Sequence, residues 1–446
     1  MDLKEHINEI SGNDYIDADL FSKFSVKRGL RNEDGTGVLV GLTRVGDVHG
    51  YEVIGGKKTA IPGKLFYRGI DVEQIAAEAS AQNRLCFDET VYLLLFGRLP
   101  TQKQLEDFNN LIGENRALPE NFVKDVIMRA PSRNIMNKLA SSILALYPYD
   151  EEPESQAPEN VLRQCVELIA RFPSIAAYSY MSMKHHFDHE SLIIHQIDPS
   201  LSCAEILLSL IRPDKKYTHN EAQLLDLALV LHAEHGGGNN STFTVHVVSS
   251  SDTDTFSSIA AGIGSLKGYK HGGANAKVIE MMNEIKENVK NWESEDEVTA
   301  YLEKILKGQA YDGTRLIYGQ GHAVYTITDP RATLLRDKAK ILAEEKGMLD
   351  EFNLHFLIEK LVPSVFKRVK GSDKDICTNV DFYSGFVYRM LGIPEDLNTP
   401  IFAVSRIAGW CAHRLEEIIA GGRIIRPAYK CVQPQLDYSS VNNRQS

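Results

Sequence analysis

From about residue 70 onward, apolar residues recur at three- and four-residue spacing with little interruption, and this periodicity confines most of the chain to packed helices. Segments 85–96, 134–147, 159–183 and 222–232 carry the pattern most clearly. Pro158, Pro213, Pro330 and Pro363 fall where helices are expected to begin or end, whereas Pro173 should kink or divide the third run. Segment 257–266, SSIAAGIGSL, is rich in small residues; Ala260, Ala261, Gly262 and Gly264 would admit another helix closely, so it reads as a buried packing helix. Only 36–45, TGVLVGLTRV, and 50–54, GYEVI, read as strands, on their β-branched residues and bounding glycines. The expected fold is mostly α, with a small N-terminal β element at about 36–54.

A composition shift follows Gly272–Gly273. Segments 276–310 and 331–370 are charged and amphipathic, and apolar character returns after Leu391–Gly392 with IFAVSRIAGW. This predicts a smaller helical domain, 274–391, inserted between two parts of a larger one, 1–273 and 392–446. Segment 149–158, YDEEPESQAP, should be an exposed acidic loop, and the polar residues from 433 onward a loose tail.

A chain of 446 residues can bury an extensive core. Its net charge of −11 argues against a general nucleic-acid or membrane-surface binder. A polyanionic ligand would therefore need a local concentration of Arg and His. The cysteines, Cys86, Cys165, Cys203, Cys377, Cys411 and Cys431, are scattered without a CxxC pair, which suits a reducing cytosol. The first residues, MDLKEHINEIS, read as neither a secretory signal nor a transit peptide, so a cytoplasmic location is expected. No apolar run approaches the roughly 18 residues that a membrane span requires.

Five segments hold residues suited to chemistry. In 231–246, LHAEHGGGNNSTFTVH, His232 and His235 lie three apart at a helix end that Gly236–Gly238 terminate. Imidazoles bonded to free carbonyls would explain them equally well. A zinc set of His232, His235 and His246 matches neither HExxH nor HxxEH, and the glycine triplet lacks the GK[ST] of a phosphate loop. In 267–275, KGYKHGGAN, His271 is flanked by glycines that leave room for a ligand, although a surface turn explains it too. In 319–331, GQGHAVYTITDPR, His322 follows two glycines, and Asp329–Pro330 resemble an N-cap and first helical residue. Arg331 would then oppose the helix dipole, a cost more readily borne if it faces an anion. Asp381, in NVDFYSGFVYR, has an N-cap as its default explanation. Arg406 stands alone in an apolar helix and needs an anionic partner, and Arg426 is similarly set among aliphatics. Together these imidazoles, one carboxylate and the isolated arginines suit carbon-acid chemistry on a multiply charged carboxylate without a metal.

In that order, LHAEHGGGNNSTFT, GSLKGYKHGGAN, GQGHAVYTITDPRA, NVDFYSGFVYRMLGIP and AVSRIAGW…RIIRPAY resemble the citrate synthases, with weaker similarity reaching back to IPGKLFYRGIDVEQIA and ETVYLLLFGRLP. The resemblance covers roughly 38–431 and implies a two-domain, mostly α-helical homodimer that closes on oxaloacetate and acetyl-CoA. It implies no bound cofactor, CoA being the acyl carrier, and neither nucleic acid nor membrane as a partner. It implies that Asp381 removes a methyl proton of acetyl-CoA, that His271 stabilises the enol oxygen, and that His322 polarises the oxaloacetate ketone. His235, Arg331, Arg406 and Arg426 would bind oxaloacetate, Arg426 from the other subunit, while Asn239, Ser241, Asn379 and Phe402 would line the site. Segment 131–137, PSRNIMN, departs from the His-Pro-Met run common in relatives, and Lys270 replaces an apolar residue. 2-Methylcitrate synthases, using propionyl-CoA, share essentially the same residues. A non-catalytic dimer of the fold and a zinc hydrolase are the more distant alternatives.

Overall fold

The computed structural model describes residues 7, 11, 14–32, 35–54, 57–371 and 375–443; most of the N-terminal stretch considered for targeting signals, and the last three residues of the tail, lie outside them. A short helix α1 (Asp19–Lys23) precedes a three-stranded antiparallel sheet of β1 (Gly46–Ile54), β2 (Lys57–Tyr67) and β3 (Ile70–Asp71). Among the described residues helices then follow without further sheet: α2 (Val72–Ala81), α3 (Phe87–Phe96), α4 (Gln102–Glu114), α5 (Ile135–Leu146), α6 (Pro158–Phe187), α7 (Cys203–Ile211), α8 (His219–His232), α9 (Asn240–Ser249) and α10 (Thr255–Lys267). The remainder are α11 (Ala274–Asn288), α12 (Glu295–Lys307), α13 (Pro330–Glu345), α14 (Leu349–Lys370), α15 (Val380–Met390) and α16 (Asn398–Ala420). No helix among the described residues is long and apolar enough to cross a membrane.

The helices form a large and a small domain, as expected. In the large domain α16 is buried along most of its length and packs against α6, α8, α9 and α10. Gly262 of α10 admits this packing, because a Cβ there would stand 2.8 Å from Val245 and 3.3 Å from the Trp410 ring; Gly264 instead faces open space. In the small domain α12 packs on α14, and α15 on α11 and α13. Contact between the two groups runs through α13 and α15 against α8, α13 against α2 and β2, and α11 against α16.

Three expectations need correction. Segment 36–45 forms no strand; its one bridge pairs Arg31 with Gly37, and Leu39 and Leu42 are 85% and 91% exposed. Without a partner its β-branched residues have no ladder to join. The sheet starts instead at Gly46, and β2 escapes sequence reading because Pro62 and Gly63 interrupt KKTAIPGKLFY. Pro173 and Pro363 both lie inside continuous helices, α6 and α14. Around Pro363, burial of Leu354, Ile358, Leu361, Val362 and Val365 outweighs the roughly 3 kcal/mol that an interior proline costs.

The hairpin of β1 and β2 braces two distant segments of the chain. A Cβ at Gly50 would lie 2.5 Å from the Val324 carbonyl, and one at Gly63 would lie 2.2 Å from that of Thr328. Gly63 N–H donates to the Thr328 carbonyl and hydroxyl, both at 3.1 Å. Tyr67 Oη donates to Val230 O at 2.7 Å, at the end of α8. The small sheet thus grips the loop bearing His322 and the turn bearing His235.

Candidate active site

Helix α8 ends at His232, and the chain turns through Glu234 and His235 to Gly236, whose φ of +82° suits glycine. The His232 carbonyl is taken by Arg406 Nε at 2.6 Å, not by an imidazole. His232 Nδ1, His235 Nε2 and both terminal nitrogens of Arg406 are buried with no hydrogen-bond partner. Arg406 therefore has no anion hydrogen-bonded to it; its guanidinium lies 4.7 Å over the Phe402 ring, itself 4.3 Å from His232. Buried polar groups left bare in this way mark a place where something polar binds.

A second wall is built by backbone pairing between 319–321 and 377–379. Asn379 N–H donates to Gly319 O at 2.9 Å, Gly321 N–H to Cys377 O at 2.7 Å, and Asn379 Nδ2 to Gly321 O at 2.9 Å. Gly319 has φ +78°, and a Cβ there would strike Phe382 at 2.8 Å. His322 Nδ1 accepts the backbone N–H groups of Val324 and Tyr325, each at 3.1 Å, which leaves the proton of the neutral ring on Nε2. Burial, reinforced by Arg331, lowers its pKa to about 4, so the ring is neutral at physiological pH.

Asp329 caps α13 as expected, and its carboxylate also forks Arg331, with Nε at 3.0 Å and Nη2 at 2.7 Å. The arginine that opposes the helix dipole is thus compensated from its own cap. Asp381 is not the N-cap of α15. Asn379 takes that role by accepting the Asp381 N–H at 3.1 Å, and the Asp381 carboxylate, with no hydrogen bond among the described residues, faces the cavity. Burial raises its pKa to about 6. His271 Nε2 lies 3.2 Å from Ser241 Oγ, which Trp410 Nε1 approaches at 3.1 Å and Asn239 Oδ1 at 3.0 Å. Burial and then Arg406 bring the His271 pKa to about 4.

His235, Asn239, His271, His322, Arg331, Asn379, Asp381, Phe402 and Arg406 all line one cavity of roughly 130 Å³, a size for a small metabolite. Ser241 stands behind it, orienting His271. Arg426 is not there; it lies on the exposed stretch after α16, which has no regular structure. A wider groove beside Trp292 and Phe356 holds none of these residues. Sequence reading missed Ser384 and Tyr388, which lie three and seven residues beyond Asp381 on one face of α15 and could have been found by that spacing. It also missed Asn275 and Asn398, joined at 3.0 Å across two helices, for which no local signal exists. The zinc set is not assembled: among the described residues His246 groups with His413 and Glu416, and not with His232 and His235.

The family model described as "Citrate synthase, C-terminal domain" matches residues 34–428. A citrate synthase of Haloferax volcanii is 33% identical over 427 residues, covering 94% of this chain and 99% of its own. A 2-methylcitrate synthase of Shewanella oneidensis is 31% identical over 381 residues, covering 85% of this chain and 90% of its own. Among solved structures, the ternary complex of a Thermoplasma acidophilum citrate synthase with carboxymethyl coenzyme A and oxaloacetate superposes with a TM-score of 0.75 at 25% identity, covering 94% of this chain and 99% of that one.

Proposed function

The chain belongs to the citrate synthase family, and on that premise we propose that it condenses acetyl-CoA with oxaloacetate and hydrolyses citryl-CoA to citrate and CoA. The observation that carries this reading is the set of bare, buried donors on His235 and Arg406 facing an unpaired carboxylate base. Two guanidinium groups and neutral imidazole N–H donors suit a dicarboxylate with a ketone between its ends.

In this mechanism Asp381 takes a methyl proton from acetyl-CoA, its raised pKa making it a stronger base than an ordinary carboxylate. A carboxylate remains far too weak for a thioester α-proton alone, so His271 stabilises the developing enolate oxygen. The enolate carbon bonds to the oxaloacetate ketone carbon, and His322 Nε2–H delivers its proton to the resulting alkoxide. The tautomer of His322 supports that role. Water then cleaves the thioester and CoA leaves as its thiol. Arg331 and Arg406 hold oxaloacetate carboxylates, with Arg426 supplied across a homodimer interface. The exposure of Ile424, Tyr429, Leu436 and Tyr438 beside Arg426 supports a second subunit covering this stretch. Residues 274–391 act as the small domain that closes over the substrates, excluding water until condensation is done. The free cysteines fit a cytoplasmic enzyme.

The likeness to a 2-methylcitrate synthase supports propionyl-CoA as the competing substrate. One methylene in a pocket is worth only about 1–3 kcal/mol, so preference turns on small differences of shape. The test is release of CoA thiol from purified protein given oxaloacetate with either acyl-CoA, repeated with Asp381→Asn. Preference for acetyl-CoA, lost in the variant, is expected. Preference for propionyl-CoA would move the assignment to 2-methylcitrate synthase, and no release from a folded dimer would refute catalysis.

A further inference from the structure

Beside the turn that bears His235, Glu417, His246, His413 and Glu234 form a chain of hydrogen bonds. Glu417 Oε2 lies 2.9 Å from His246 Nδ1, His246 Nε2 lies 3.0 Å from His413 Nδ1, and His413 Nε2 lies 2.9 Å from Glu234 Oε1. Each hydrogen bond needs one proton between its heavy atoms. Two neutral imidazoles bring one proton each and two carboxylates bring none, so the three bonds together hold one proton more. We infer that His246 and His413 share this extra proton, and that the charged pair is a positioning device: it fixes Glu234, and through Glu234 the His235 turn and Arg406, for the carboxylates of oxaloacetate. The inference rests on the functional reading above.

Glu234 is well placed to transmit such an effect. Its side chain is fully buried between α16 and β1, which approach it at glycines. A Cβ at Gly409 would stand 2.4 Å from Glu234 Oε2, and one at Gly46 would stand 2.6 Å from its Cγ. Glu234 Oε1 also accepts the Gly236 N–H at 2.5 Å, tying down the turn that presents His235. Against the burial that lowers the Arg406 pKa to about 10, Glu234 is the largest opposing influence. Removing or displacing its charge would leave Arg406 buried without its main counter-charge.

The surroundings favour a proton held on the rings. Burial pushes the Glu234 carboxyl upward, but His413, Arg406 and the Gly236 N–H outweigh it, so Glu234 stays ionised. Burial and then His413 lower the His246 pKa, which disfavours charging both rings at once. Glu416 Oε2 stands 3.8 Å from His413 Nδ1, while the Arg44 backbone N–H holds its other oxygen at 2.7 Å. Arg68, bonded to Leu94 O from β2's end, faces Glu416 and Glu234 from the third side. Three carboxylates around two imidazoles, tempered by Arg44, Arg68 and Arg406, make one shared cation acceptable there. Glu417, only 17% exposed at its side chain, is the end of the chain nearest to solvent exchange.

Rising pH removes the extra proton and leaves two nitrogen lone pairs opposed at 3.0 Å, so oxaloacetate binding should weaken on the alkaline side. The experiment is oxaloacetate affinity of the intact protein by calorimetry across neutral and alkaline pH, with kcat followed in parallel. An alkaline loss of affinity without a matching loss of kcat is expected. His413→Ala should bind oxaloacetate about tenfold more weakly, the size of one charge-assisted hydrogen bond. His246→Gln keeps an N–H donor toward His413 without the extra proton, so its oxaloacetate affinity should lie between those of His413→Ala and the wild type and show no alkaline limb. Histidine-labelled wild-type protein should also show one strongly deshielded proton coupled to both rings. Affinity flat with pH, two neutral-ring signatures, or one tightly held metal per subunit would overturn the inference. No oxaloacetate binding at any pH would overturn the functional reading and the positioning role, while the ring signals would still report on the shared proton.

Discussion

Arg406 and Arg414 sit eight residues apart on α16, both with no exposed surface, and they have opposite fates. Every donor of Arg414 is engaged. Nε reaches Thr255 Oγ1 at 3.0 Å, Nη1 reaches Ser249 and Ser258 Oγ at 3.1 Å each, and Nη2 reaches Gln156 Oε1 at 3.0 Å and Thr253 O at 2.8 Å. Arg406 spends only Nε, on the His232 carbonyl, and keeps both terminal nitrogens bare. Burial alone does not separate a structural arginine from a binding one. What separates them is whether the fold itself completes the hydrogen bonds, since an incomplete set is a standing cost that only a ligand removes.

The largest effect should come from Arg406→Met. Losing a buried partner of a substrate carboxylate costs about 4 kcal/mol, or roughly a 10³-fold fall in kcat/KM. Chemical denaturation should show stability within about 1 kcal/mol of wild type, because the folded protein gains little from a guanidinium it leaves unsatisfied. Arg414→Met should do the reverse. Stripping donors from Ser249, Thr255, Ser258 and Gln156 should cost about 3 kcal/mol in denaturant unfolding, with kcat/KM per folded molecule unchanged. If Arg414→Met abolished turnover in folded protein, or Arg406→Met mainly unfolded it, the contrast would be broken.

Asp381 extends the same contrast to a carboxylate. With a pKa near 6, the base should lose activity as pH falls through about 6, while His271 and His322, near 4, remain neutral well below that point. The acid limb of kcat should therefore track one group. The sign for stability is opposite to that for activity. A carboxyl whose pKa is raised by folding binds its proton more tightly in the folded state, so Asp381 costs stability above about pH 6 and that cost fades as pH falls toward the unfolded value. Asp381→Asn, inactive in CoA release, should accordingly be more stable at neutral pH, by up to about 3 kcal/mol.

The helical fold and nine of the cavity's residues were legible from periodicity, glycine-flanked imidazoles and family resemblance, because those signals are local in the chain. The hairpin was not. Its Gly63 admits the Thr328 backbone, a contact across more than 260 residues that no window of sequence contains. The default explanation of Asp381 as a cap failed because Asn379, two residues earlier, is an equally good cap, and only the backbone shows which one is used. Arg414 gave no sequence signal of its own, since its acceptors are hydroxyls, an amide and a carbonyl that look like ordinary surface residues.

The smallest effect sharpens the comparison most. Ser258→Ala removes one of two acceptors from Arg414 Nη1, leaves Ser249 in place, and should cost about 1 kcal/mol. Oxaloacetate should then raise the melting temperature of wild type and of Ser258→Ala by the same increment, because ligand binding adds RT ln(1 + [L]/Kd) to whatever stability the fold already has. Arg406→Met, though as stable as wild type without ligand, should show almost no increment. A differential scanning measurement on the three proteins, at several oxaloacetate concentrations, separates the two ends of α16. Equal shifts in all three would mean that Arg406 is not where the carboxylate binds. An increment diminished in Ser258→Ala would mean that the two ends are energetically coupled along the helix, and that a satisfied arginine can tune an unsatisfied one.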